Sequence, residues 1–201
     1  MKKLKGIFFD FDGTLVDSLD LMFNAYEQFL TNFNLKPSFD EFTDFNGPPI
    51  KKVIELIKEK YHLKNDIDYL VSMYDEIIDD LYLNAQPNID SLDFIDYAYS
   101  KSLLIAIVSS NSKKRINNWL SKFNIYDKIS FTVSSDDVKY GKPNSEPYLN
   151  ALKLSKFNSN EVIAIEDSVQ GAISASNAQI RTFILSGRHI ETNKFLKIEN
   201  F

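Results

Sequence analysis

FDFDGTLVDS, residues 9–18, takes up the end of a short apolar run, Leu4–Phe9, and interrupts it with two aspartates separated by one residue. In an extended chain residues two apart point the same way, so Asp10 and Asp12 can face one site. Two carboxylates that close repel each other, and both ionise comfortably only beside a cation. A hard divalent ion such as Mg²⁺ prefers carboxylate oxygens, water and substrate phosphate. Gly13 lets the chain turn and Thr14 can hydrogen-bond locally. Taken alone, the Asp12-Gly13 pair reads as no more than a turn leaving a strand.

Working outward, five apolar runs have the character of buried parallel strands: Leu4–Phe9, Leu103–Val108, Ile129–Val133, Val162–Ile165 and Thr182–Leu185. Helical patterns separate most of them, over Asn88–Lys101, Ser112–Phe123, Glu146–Leu154 and Ser168–Ala178. This alternation predicts an α/β fold, an open parallel Rossmann-like sheet with helices on both faces. The gap between the first and second runs is different. Val16–Phe33, Pro48–Tyr61 and Asp66–Leu83 are periodic helical segments, and no convincing strand lies among them. Residues 16–83 are too long for a loop. We read them as a small all-α domain inserted after the first strand, with residues 1–15 and 84–201 forming the α/β core. Phe23, Tyr26, Phe29, Phe33, Tyr69 and Tyr74 are expected to make the inserted domain's own core.

Most chemistry-bearing residues fall at or just beyond the C-terminal end of a predicted strand, where open α/β sheets place their ligands. Ser109, Ser110 and Asn111 close the second run and open a helix, whose free amides and hydroxyls suit an anion. Ser and Asn are also ordinary helix caps. Lys142 lies in the Gly141-Lys142-Pro143 loop. Glu166 and Asp167 end a buried strand, where carboxylates need a partner, and Ser168 can cap the helix that follows.

Together these residues resemble the haloacid dehalogenase superfamily. Its pattern is Asp-x-Asp-Gly-Thr, a Ser or Thr after the second strand, a Lys, and an acidic pair. Asp10/Asp12, Ser109, Lys142 and Glu166/Asp167 follow it in order. FDGTLVDS, GKPNSEPYLNAL and IEDSVQGAISAS resemble members with a helical cap inserted after the first strand, and the resemblance covers nearly the whole chain. It implies that Asp10 is the nucleophile forming an aspartyl phosphate and that Asp12 is the general acid and base. It implies Mg²⁺ on Asp10, the Asp12 main-chain carbonyl and Asp167, with Glu166 direct or through water. Ser109, Ser110, Asn111 and Lys142 would hold phosphate oxygens. Asn46, Gly47 and Lys51, in or beside the Gly-Pro-Pro loop of the cap, are candidates for substrate contact.

The implied function is a Mg²⁺-dependent phosphohydrolase of small phosphate esters. A β-phosphoglucomutase-like sugar phosphomutase is the alternative, but Met22 stands where those relatives carry histidine, and residues 46–50 lack their arginine. Dehalogenating relatives lack the second aspartate. A signalling receiver would be shorter and lack both Asp12 and the insertion. A non-catalytic phosphate-binding homologue would not be expected to retain every motif. Two departures from the family pattern are Ser145, in place of a second proline after Lys142, and Gln179, where a helix end usually carries glycine.

Composition adds exclusions. The net charge is −5, which supplies no field for nucleic acid or anionic membrane. No apolar window has the length of a membrane span, and Ile7–Phe9 is too short for a signal-peptide core. The absence of cysteine fits a cytoplasmic protein. The lysines at 51–52 and the run Lys113-Lys114-Arg115 read as solvated helix faces, His62 and His189 as surface residues, and Trp119 as core. Oligomeric state is left open by the sequence.

Overall fold

In the computed structural model, residues 3–45, 49–185 and 196–197 are described. The central strand is β1, Gly6–Phe9, buried along its whole length. It pairs in parallel with β2, Leu104–Val108, on one side and with β4, Val162–Glu166, on the other. Outside these lie β3, Phe131–Val133, and β5, Arg181–Ile184, also parallel. A two-residue strand, β6, Leu196–Lys197, pairs antiparallel with β5, giving the order β3-β2-β1-β4-β5-β6. Strands buried on both faces need apolar residues at nearly every position, which is how the five parallel strands read in sequence.

The third strand starts two residues later than expected. Tyr126–Lys128 form a single 3₁₀ turn, which the Ile129 N–H closes on the Tyr126 carbonyl at 3.1 Å. β6 was not anticipated, because two residues carry no periodicity.

The chain forms two compact units. The first comprises the chain up to Asp17 and from Gln86 onward; the second is Ser18–Ala85. In the second lie α1, Leu19–Thr31, α2, Phe39–Phe45, α3, Ile50–Lys60, and α4, Ile67–Tyr82. Tyr26 and Phe29 of α1 and Tyr74 of α4 are buried, and the Phe29 and Tyr74 rings meet edge to face at 5.3 Å. Tyr69 is 53% exposed, so it does not belong to that core as expected. Helix α2 escaped the sequence reading because seven residues rich in acid show no clear stripe. Tertiary contact holds it: Phe42 is buried, and Tyr61 donates to Glu41 at 2.8 Å. His62 is exposed, as expected.

In the first unit the helices are α5, Ile89–Ser100, α6, Lys113–Lys122, α7, Glu146–Ser155, and α8, Val169–Asn177. Side-chain caps start three of them: Asn88 accepts from Ser91 N–H, Ser112 from Arg115 N–H, and Ser168 from Gly171 N–H. Phe8, Ala106, Val108, Val133, Ala164 and Tyr148 are members of one buried cluster. Trp119 is buried and meets Phe11 edge to face at 5.3 Å.

The points where the chain leaves and re-enters this unit lie side by side. The Asp17 N–H donates to the Gln86 carbonyl at 3.1 Å, the Asn88 N–H to Leu15 at 2.8 Å, and Val16 bridges Pro87. Among the described residues no helix is long and apolar enough to cross a membrane. His189 lies outside the described residues.

Gln179, after α8, has φ +60°, in the left-handed region that glycine tolerates best. Replacing it by glycine relieves that strain but loosens the unfolded chain. Gln179→Gly is expected to stabilise the protein by roughly 0.5–1 kcal/mol. A urea midpoint that rises with unchanged slope would show this, and a fall would contradict it.

Candidate active site

Sheet register brings the site together. Phe9 is level with Ile107 of β2 and Ile165 of β4, so the next residue of each strand lies at the same carboxyl edge. Asp10 follows Phe9, its N–H donating to the Ile165 carbonyl at 2.8 Å. Glu166 ends β4. Ser109 follows β2, its N–H donating to Val133 at 2.9 Å. Residues separated by well over a hundred positions therefore become neighbours.

Lys142 enters from the loop before α7 and is buried. Its ammonium lies 2.5 Å from Asp10 Oδ1 and 2.5 Å from Glu166 Oε1. Burial works against its charge, but the two carboxylates outweigh that and hold its pKa above the ordinary lysine value. Tyr148, on α7, donates its hydroxyl to the same Glu166 oxygen. The sequence reading missed this tyrosine, because a buried aromatic on a helix looks like core.

Two glycines make room for the acids. A Cβ on Gly13 would stand 2.0 Å from Asp167 Oδ2, and φ +81° there already favours glycine. A Cβ on Gly171 would stand 1.9 Å from Glu166 Oε2. Thr14 is buried, and the local hydrogen bond expected of it is not made: its carbonyl accepts instead from Ser91 Oγ at 2.7 Å, far along the chain. Its own hydroxyl finds no partner among the described residues.

Asp12 lies on the turn after β1, and Asn111 Nδ2 donates to its Oδ2 at 3.0 Å. The Asn111 N–H donates to Ser109 Oγ at 2.9 Å. Part of the Asn111 amide, expected to serve phosphate, is therefore engaged by Asp12. Ser110 is exposed and Ser109 buried. Arg115 corrects another expectation. Far from lying on a solvated helix face with Lys113 and Lys114, it is buried, and its Nη1 donates to Asn111 Oδ1 at 2.7 Å. The stripe of α6, with Arg115 one position before buried Ile116, was the signal that could have found it.

Of the residues considered for substrate contact, Asn46 and Gly47 lie outside the described residues. Lys51, on α3, lies 3.5 Å from Asp68 at the surface.

The carboxylates crowd one another. Burial raises the Asp12 pKa to about 7, with Asp10 adding to the rise and Asn111, Arg115 and Lys142 opposing it. Desolvation raises Glu166 and Asp167 too, with Asp10 adding to both. One oxygen each of Asp10, Glu166 and Asp167 lies within 4.8 Å of the others. Asp12, expected to serve a metal through its main-chain carbonyl, does not bring its carboxylate into this group. Asp10 Oδ2, Asp12 Oδ1 and Glu166 Oε2 are buried with no hydrogen-bond partner among the described residues. Carboxylate oxygens crowded together and left unpaired form a donor set that fits a hard divalent cation such as Mg²⁺.

The family model described as haloacid dehalogenase-like hydrolase matches residues 7–185. The chain belongs to the haloacid dehalogenase-like hydrolase family. Among relatives of this hydrolase, pyrophosphatase PpaX of Oceanobacillus iheyensis is 24% identical over 193 residues, covering 94% of this chain and 87% of the relative. A phosphorylated carbohydrates phosphatase of Thermotoga maritima is 25% identical over 182 residues, covering 88% and 82%. The structure of CbbY from Rhodobacter sphaeroides in complex with phosphate superposes with TM-score 0.81 at 20% identity, covering 96% of this chain and 91% of that one. That likeness concerns the fold.

For this hydrolase the raised acids make a stability prediction. A carboxyl whose pKa is higher folded than unfolded favours folding while protonated. That advantage is lost as pH rises from the ordinary value, 3.8 for Asp, through the folded value, about 7 for Asp12. A divalent ion bound to the ionised acids offsets the loss and competes with their protons. The rise in melting temperature on replacing EDTA by Mg²⁺ is therefore expected to be larger at pH 8 than at pH 5.5. Calorimetry showing a rise independent of pH would contradict this.

Proposed function

We propose that the protein is a phosphatase of small phosphate esters, with Asp10 as nucleophile and Asp12 as proton carrier. The observation that carries this reading is the placement of Asp10 at the sheet's carboxyl edge. One of its oxygens is tied to Lys142, the other has no hydrogen-bond partner among the described residues, and the carboxyl of Asp12 is held by Asn111. The activities named for the relatives, on pyrophosphate and on phosphorylated carbohydrates, support the same class of substrate.

In this mechanism an Asp10 carboxylate oxygen attacks phosphorus as the ester P–O bond breaks. The Asp12 carboxyl gives its proton to the departing oxygen, so the product leaves as an alcohol. Water then attacks the phosphorus of the aspartyl phosphate, Asp12 takes one proton from it, and the bond to Asp10 breaks to release inorganic phosphate. Lys142 holds Asp10 in place and offsets negative charge as phosphate approaches. The Ser109 hydroxyl supplies a neutral donor for a phosphate oxygen. Asp10, Glu166 and Asp167 would hold Mg²⁺, which when bound offsets the charge of nucleophile and phosphate together. An acid suited to both giving and taking a proton needs a pKa near the working pH, and that of Asp12 is about 7.

The test is phosphate release from p-nitrophenyl phosphate, pyrophosphate, sugar phosphates and phosphoglycolate, with Mg²⁺ or EDTA, by the wild type and by Asp10→Asn. Release is expected with Mg²⁺ only, with none above background in the variant. Release that persists in Asp10→Asn would remove the aspartyl-phosphate mechanism. No release from any ester would remove the phosphatase reading. A β-glucose 1-phosphate arm that yields an isomer instead of phosphate would identify a mutase.

A further inference from the structure

Arg115 is a buried cation that the mechanism above does not use. It is 6% exposed, and its Nη1 donates to Asn111 Oδ1 at 2.7 Å. The Ser112 N–H donates to the same oxygen at 2.9 Å. With two donors on Oδ1, the amide cannot turn over without setting its own N–H groups against them. Its Nδ2 is thereby committed to the other side, where it donates to Asp12 Oδ2 at 3.0 Å.

The backbone of Asn111 is pinned as well. Its N–H donates to Ser109 Oγ at 2.9 Å, and its carbonyl accepts from the Ser135 N–H at 3.0 Å and the Ser135 hydroxyl at 3.1 Å. The result is an unbroken line from guanidinium through amide to carboxylate, in which each hydrogen bond polarises the next. The other Asp12 oxygen, Oδ1, is buried without a partner among the described residues. One oxygen of Asp12 is held, and the other is left to meet a proton acceptor.

We infer that Arg115 is a positioning residue that acts through Asn111 to hold the Asp12 carboxyl for proton transfer to the leaving oxygen. The inference rests on the phosphatase reading, in which Asp12 carries that proton. A structural role for Arg115 would slow every substrate alike. A positioning role shows where the leaving group needs its proton. Phenolate is a poor leaving group without protonation, whereas p-nitrophenolate departs readily without it.

The experiment measures kcat and KM for phenyl phosphate and p-nitrophenyl phosphate with Mg²⁺, for wild type, Arg115→Met, Asn111→Ala and the double variant. Melting temperatures are recorded alongside. In kcat/KM, which reports only the steps up to aspartyl-phosphate formation and departure of the alcohol, Arg115→Met is expected to lose about tenfold or more for phenyl phosphate and less than about threefold for p-nitrophenyl phosphate. The double variant is expected to be no worse than Asn111→Ala alone, because the two residues act as one line. If Arg115→Met does not fold, Arg115→Lys keeps the buried cation without the guanidinium fork and is expected to show the same selective loss in smaller degree.

Equal losses in kcat/KM for both esters, or additive losses in the double variant, would overturn the inference and leave the phosphatase reading standing. Wild type that releases no phosphate from either ester would overturn that reading, and the inference with it.

Discussion

The Lys142 ammonium sits between Asp10 and Glu166 with almost no access to water, and the arrangement of the site depends on this contact. A buried charge costs several kcal/mol unless it is paired and hydrogen-bonded. Neither acid could occupy its place alone, and neither could the lysine. Tyr148 satisfies the same Glu166 oxygen, and the absence of a side chain at Gly171 lets the other Glu166 oxygen approach α8. The parallel register of β1 and β4 then matters chemically, since a slip of one residue would carry Glu166 to the opposite face of the sheet.

One lysine does not balance Asp10, Asp12, Glu166 and Asp167. The surplus of negative charge is what a divalent ion and its accompanying phosphate would answer: the acids would draw the ion, and the ion and the lysine would draw the phosphate. Crowded acids of this kind would disfavour a bare anion and favour one that arrives with its counter-charge.

Much of this was legible in the sequence because its signals are local. Apolar runs such as Val162–Ile165 marked strands, and acids immediately after them marked the carboxyl edge. Gln179 was recognised as an unusual helix end, and its φ is indeed positive. The misses have a common origin in contacts that no local pattern encodes. Arg115 sits in a basic run whose two lysines are solvated while its own side chain turns inward to Asn111. Tyr148 looks like any core aromatic until Glu166 is placed beside it. Tyr69 shares the helical spacing of the buried tyrosines but projects into water, and α2 forms only because neighbouring aromatics and Tyr61 receive it. Periodicity reports which residues are apolar. It cannot report which polar group a particular neighbour has made affordable to bury.

The adjoining exit and return of the chain, where Asp17 meets Gln86, reach beyond local geometry. Everything between those two residues hangs from a single doorway that is already hydrogen-bonded shut. Lengthening or replacing a segment whose ends are fixed side by side costs little further chain entropy, about 0.6 kcal/mol for each doubling of a flexible loop. The carboxyl edge and its acids are fixed by the register of the sheet's own strands, whatever the length of the segment between those ends. Such a core can keep one chemistry while the inserted portion is exchanged wholesale, much as a tool keeps its handle through many changes of blade.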